Sequence, residues 1–103
     1  PWPFCYSTFD VVIVTNYLFR PKLRMLFDLV AHGGYLAYET FAVGNAEFSS
    51  PKNPNFLLRE GELAANLSAD FEVIEEFHGP IKTPKPAVIQ RLAARRKSSP
   101  LPN

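Results

Sequence analysis

Cysteine is nearly missing from these 103 residues: Cys5 stands alone. No intramolecular disulfide can form, and a reducing cytoplasm is the expected compartment. Only two histidines occur, His32 and His78, and they are too far apart to give a metal-ligand spacing. An excess of one charge is also lacking. Eleven Lys and Arg against ten Asp and Glu leave a formal +1, so no broad field for nucleic acid or anionic lipid is expected. The apolar runs fall far short of the ~20 residues of a membrane helix, and no signal peptide is visible. Neither a nucleic-acid nor a membrane partner is therefore predicted. The sole methionine is Met25 and the sequence opens Pro1-Trp2-Pro3, which reads as a fragment or a processed product.

What is present begins with FDVVIVTNYLFRP, Phe9 to Pro21. Val11-Val12-Ile13-Val14 offers no polar face, the pattern of a strand covered on both sides in a parallel sheet. In open α/β sheets ligands bind beyond the carboxyl ends of such strands, where Thr15-Asn16-Tyr17 would sit. Pro21 suits the first turn of a helix. Leu23, Leu26, Phe27 and Val30 follow at the spacing of one apolar stripe, and His32-Gly33-Gly34 is expected to end that helix through a left-handed glycine. Tyr35-Leu36-Ala37-Tyr38 then reads as a second strand. Strand, helix and strand in about thirty residues fit a right-handed crossover with parallel strands.

From Ala42 to Arg59 glycine, serine, asparagine and proline break any period. A loop of this length in a small domain points to function, and Phe41, Phe48 and Phe56 are expected to anchor it beside the strand ends. A short helix opens at Glu60-Gly61-Glu62 and runs through Leu67, with its acidic residues near the positive end of the helix dipole. Phe71 to Phe77 and Ala87 to Ala93 have strand character, joined by a loop from His78 to Pro86 that favours antiparallel neighbours. The predicted fold class is α/β: a partial Rossmann-like sheet of two parallel strands with a crossover helix, closed by an antiparallel pair, in the order β-α-β-loop-α-β-β. Val88–Leu92 is expected between Leu36–Tyr38 and Val73–Glu76. Residues 1–95 form the domain, and 96–103 are expected to be a basic, proline-rich disordered tail.

The segments FDVVIVTNYL, AHGGYLAYET, FEVIEEF and PAVIQRLAAR resemble, in that order, the fourth strand, the turn into the fifth, and the closing pair of class I S-adenosylmethionine-dependent methyltransferases. ETFAVGN and NPNFLLREGEL are similar to small bacterial tellurite-resistance-like methyltransferases. The resemblance spans nearly the whole chain and implies its carboxyl-terminal half. The family's glycine-rich turn and ribose-binding acidic residue have no counterpart here. The chain is thus expected to be inactive without an amino-terminal half. The resemblance implies S-adenosyl-L-methionine as cofactor and a small-molecule methyl acceptor as substrate.

Methyl transfer from a sulfonium depends on positioning and exclusion of water, so no residue is assigned a catalytic role. Thr15, Asn16 and Tyr17 are the expected cofactor-side residues, with a turn and a packed aromatic as the plain alternatives for the last two. Glu39, Thr40 and Phe41, with Asn45 and Phe56 from the loop, are the expected acceptor-side residues. The plain alternative for Glu39 is a salt bridge to Arg20 or Arg59. Two other readings compete: an interaction module that pairs through its open edge, with self-association at Val11–Val14, and half of a Rossmann-type nucleotide-dependent oxidoreductase.

Overall fold

The structure, a computed structural model, describes residues 7–98. Pro1-Trp2-Pro3, Cys5 and residues 99–103 lie outside the described residues. Four strands form one mixed sheet: β1 (Phe9–Thr15), β2 (Val30–Phe41), β3 (Phe71–Ile81) and β4 (Ala87–Arg96), in the spatial order β1-β2-β4-β3. β1 and β2 are parallel, with Val12 opposite Leu36 and Val14 opposite Tyr38. β4 runs antiparallel to both β2 and β3. The expected placement of Val88–Leu92 between the other two strands is what the sheet contains.

Between β1 and β2 lie a 3-10 turn at Arg20–Lys22, with Pro21 inside it, and α1 (Leu23–Asp28). Leu23 and Phe27 bury the inner stripe of α1. The Phe27 ring meets Tyr38 edge-on, with centroids 6.3 Å apart. A second short helix, α2 (Glu62–Ala65), adds Leu63 to the same face. The core is therefore a single layer between one sheet face and two short helices.

The glycine pair does different work from that expected. The helix ends at Asp28, and Val30, whose apolar position is the last of the stripe, already begins β2. Gly33 and Gly34 lie inside this strand, where the β1–β2 register jumps from Phe9 opposite Val30 to Val11 opposite Tyr35. Gly33 has φ +85°, and a Cβ on Gly34 would lie 2.8 Å from the carbonyl oxygen of Asp10. Glycine is required here for a bulge and a close backbone approach.

β3 also runs further than its apolar core suggests, carrying His78, Gly79 and Pro80 within the ladder. Proline is tolerated there because β3 is an edge strand. The connection shrinks to five residues, Lys82–Pro86. At the other end, Arg96, expected to begin a disordered tail, belongs to the sheet. Arg96 closes β4, pairs with Asp70 at 2.6 Å, and donates to the Val30 carbonyl at 2.8 Å.

The two edges differ. β3 is exposed through Glu72, Glu75 and Glu76, and a register shift lies between Val73 and Glu75. Charge, bulge and proline together discourage further pairing. β1 has Asp10 as its one charged residue, followed by five uncharged residues in regular register. The face away from the helices is also bare. Val11 is 56% exposed and Ile13 69%, with Tyr35 and Ala37 beside them on β2. Among the described residues, the double cover expected for Val11–Val14 is thus present on one face only.

Candidate functional site

The parallel pairing of β1 and β2 ends with Thr15 opposite Glu39, two residues before β2 itself stops at Phe41. Asn16 turns the chain away at φ +54°, in the left-handed region that asparagine tolerates best among residues with a side chain. Its backbone N–H donates to the Glu39 carbonyl at 2.9 Å, so the turn is locked to the exit of β2. The next carbonyl, Tyr17, accepts from the buried Tyr38 hydroxyl at 2.6 Å. Burial, reinforced by neighbouring Tyr17, pushes the Tyr38 hydroxyl up to about 12.

Beyond these exits lies a cleft of about 360 Å³, lined by Asn16, Glu39, Phe41, Ile81, Pro84, Lys85, Ala87 and Ile89. Its floor is the start of β4, where Ala87 and Ile89 are buried, and one wall is the turn from Lys82 to Pro86. Glu39 is half-exposed, and its Oε1 accepts from Arg91 Nε at 2.8 Å. Arg91 lies over the Phe77 ring at 5.6 Å. This places Glu39 at a corner, since it also lines a shallow depression of about 240 Å³ on the bare face with Ile13, Thr15 and Ala37.

The structure brings together only part of the expected set. Asn16, Glu39 and Phe41 meet in the cleft, whereas Thr15 opens onto the bare face. Tyr17 is 43% exposed and contributes its carbonyl to the turn. Thr40 is 2% exposed and pairs with Gln90 on the packed face, because neighbouring strand residues point to opposite sides. Asn45 is fully buried with both ends of its amide engaged. Its Oδ1 accepts from Val88 N at 3.0 Å, and its Nδ2 donates to the Pro51 carbonyl at 3.0 Å. It shapes the loop from within, so it is not available to a ligand. Phe56 is 53% exposed in a separate groove with Phe19, Arg20, Pro21 and Asn55.

The aromatic anchoring of the loop is also corrected: Phe48 is 51% exposed. Asn45, Leu57 and Leu58 are buried instead, and a bridge between Ala42 and Leu58 closes the loop at its base. Neither Arg20 nor Arg59 pairs with Glu39. Arg20 pairs with Glu62, and Arg91 takes Glu39 because the two stand opposite each other in the β2–β4 register. Reading the sequence missed the β4 side of the cleft, Ile81 to Ile89. The signal available was KTPKP, whose prolines mark a rigid turn between two strands. Among the described residues, no group of three or more His, Cys, Asp or Glu is placed to hold a metal.

Two parallel strands closed by an antiparallel pair, covered on one face by short helices and with a cleft where the parallel pairing ends, make an α/β architecture. Solved structures narrow it to a methyltransferase-like fold. TehB from Haemophilus influenzae, a tellurite-resistance methyltransferase, superposes with a TM-score of 0.70 at 16% identity, covering 91% of this chain and 37% of that one. A protein described under "Conversion of a Disulfide Bond into a Thioacetal Group during Echinomycin Biosynthesis" gives 0.61 at 11% identity, covering 88% and 50%. The chain thus spans half or less of the length of either neighbour. No family model and no curated protein matches the sequence. No helix among the described residues is long and apolar enough to cross a membrane.

Proposed function

We propose that this chain is the distal half of an S-adenosylmethionine-dependent methyltransferase that modifies a small acceptor, and that it is inactive without the remaining half. The observation that carries the reading is the cleft at the paired exits of β1 and β2, where Asn16 and Glu39 are fixed to each other by a backbone hydrogen bond. S-adenosylmethionine would supply an already activated methyl group. The work left to this chain is to position the acceptor and exclude water. Asn16 and Tyr17 would border the methionine portion of the cofactor, with Thr15 behind them on the other side of the strand end. Glu39, held by Arg91, would orient the acceptor against Phe41 and Ile89.

The chain offers no glycine-rich turn and no ribose carboxylate, so the fit to the cofactor is partial. Each missing charged or hydrogen-bonded contact is worth roughly 1.5–3 kcal/mol. Three of them weaken binding on the order of a thousandfold or more, at about 1.4 kcal/mol per decade. The unguarded β1 edge and the bare face beside it are where the rest of such a domain would attach. A second reading, an interaction module without chemistry, draws on the same edge.

Calorimetry with S-adenosylmethionine, alongside sedimentation of the isolated chain, tests the reading. Weak or absent cofactor binding, with self-association through Val11–Val14, is expected. Micromolar binding by a well-behaved monomer would show that the half-enzyme reading is wrong. If the chain joined to a glycine-rich amino-terminal half binds cofactor but transfers no methyl group to any acceptor, the interaction module takes its place.

A further inference from the structure

The cleft's chemistry is uneven, and the unevenness selects its occupant. Five of its eight lining residues are apolar: Phe41, Ile81, Pro84, Ala87 and Ile89. Ala87 and Ile89 are 3% exposed each, so their part of the wall is fixed by the packing of β4. The polar groups are Asn16 and Glu39 at the strand exits and Lys85 on the exposed turn. Arg91, the cation that holds Glu39, lines the depression on the bare face and is not among the residues lining the cleft. A ligand's polar atom near the strand exits therefore meets a carboxylate and an amide, while its body meets hydrocarbon.

From this we infer that the cleft takes an organic nucleophile, an aromatic or branched apolar body carrying one amine, hydroxyl or thiol head, and rejects an inorganic oxyanion. The inference rests on the methyltransferase reading for the identity of the cleft as an acceptor site. An oxyanion would need several donors or cations directed at it; at the strand exits it would face the Glu39 carboxylate, with the neutral Asn16 amide and solvated Lys85 as the donors among the lining side chains. An amine, hydroxyl or thiol can donate its hydrogen bond to Glu39 while its body displaces water from Phe41 and Ile89. Burial of apolar surface at about 25 cal/mol per Å² favours that pose.

Amide spectra of the isotope-labelled chain, titrated with 4-methylaniline, 4-methylphenol and selenite, test this without cofactor. The two aromatic probes are expected to move the cross-peaks of Asn16, Phe41, Ala87 and Ile89 saturably and to leave Ile13 and Ala37 in place. Selenite should move none of them. Ile81→Ser, at a half-exposed position at the end of β3, should weaken aromatic binding about threefold or more, with an unchanged circular dichroism spectrum. Saturable selenite binding in the cleft overturns the inference. So do aromatic probes that shift only Ile13 and Ala37, and so does the absence of saturation by either aromatic probe. Selenite methylation by a completed enzyme would sink the inference and leave the methyltransferase reading standing. Aromatic binding in the cleft, with no methyl transfer by the completed protein, would sink that reading alone.

Discussion

Replacing Arg20 by methionine tests what holds the exit of β1 in place. The guanidinium donates to Glu62 Oε2 at 2.6 Å and Oε1 at 2.9 Å, to the Leu57 carbonyl at 2.8 Å, and to the Asn55 carbonyl at 3.1 Å. It thereby ties the turn after Asn16 to the end of the long loop and to α2. Exposed ion pairs contribute about 0–1 kcal/mol, and breaking a buried one costs about 3–5. This pair lies between, with side chains 29% and 12% exposed. Methionine keeps the length and apolar stem, so the loss is mainly polar: about 2–3 kcal/mol. At ~1.5 kcal/mol per molar urea, the unfolding midpoint should fall by about 1.3–2 M.

The same pair sets an acid dependence. The hydrogen bond from Arg20 holds the Glu62 carboxyl below its usual value against the opposing effect of burial, helped by the Arg59 backbone N–H. A depressed folded-state value means that the stabilisation is present above the unfolded carboxyl's range, about 4.3, and is lost as pH falls through the folded value. The gap between parent and Arg20→Met should therefore narrow on acidification from pH 7 to pH 3. Arg20→Lys, which keeps the charge but not the fork, should recover less than half of it. A gap below about 0.5 kcal/mol at pH 7, or one that stays constant down to pH 3, refutes the clamp.

Gly34→Ala places a Cβ against two backbone oxygens, those of Asp10 and Ala31; urea melts should show about 1–3 kcal/mol of destabilisation, and parent-like stability would mean that β1 does not approach so closely. In an ultraviolet titration Tyr38, pushed up to about 12 by burial, should ionise well above the ordinary tyrosine value of about 10. Its raised value implies stability fully present below pH 10 and lost between about 10 and 12, which alkaline unfolding followed by circular dichroism would reveal.

The sequence pattern carried the sheet well because long-range pairing follows from local length: a crossover of the right size makes strands parallel, and a short connection makes them antiparallel. It failed at His32-Gly33-Gly34, where a helix end and a strand bulge ask for the same residue. It also failed at Pro80, where proline punctuates a central strand but not an edge. The positions of Asn16 and Glu39 at the strand exits were legible because strand ends are legible. Asn45 and Phe56 exchanged expectations. A polar residue in a loop reads as available and an aromatic as buried, yet Asn45 finds two backbone partners inside the loop and a third, Val88, on β4, and Phe56 finds no covering layer.

The contrast between the two sheet edges bears on the stoichiometry of the proposed self-association. Were two copies to join β1 to β1 about a two-fold axis, each would consume the edge of the other, and the eight-stranded sheet would end on β3 at both margins. Those margins carry Glu72, Glu75 and Glu76, the register shift and Pro80. Edge-to-edge addition beyond two copies would then be discouraged at both margins.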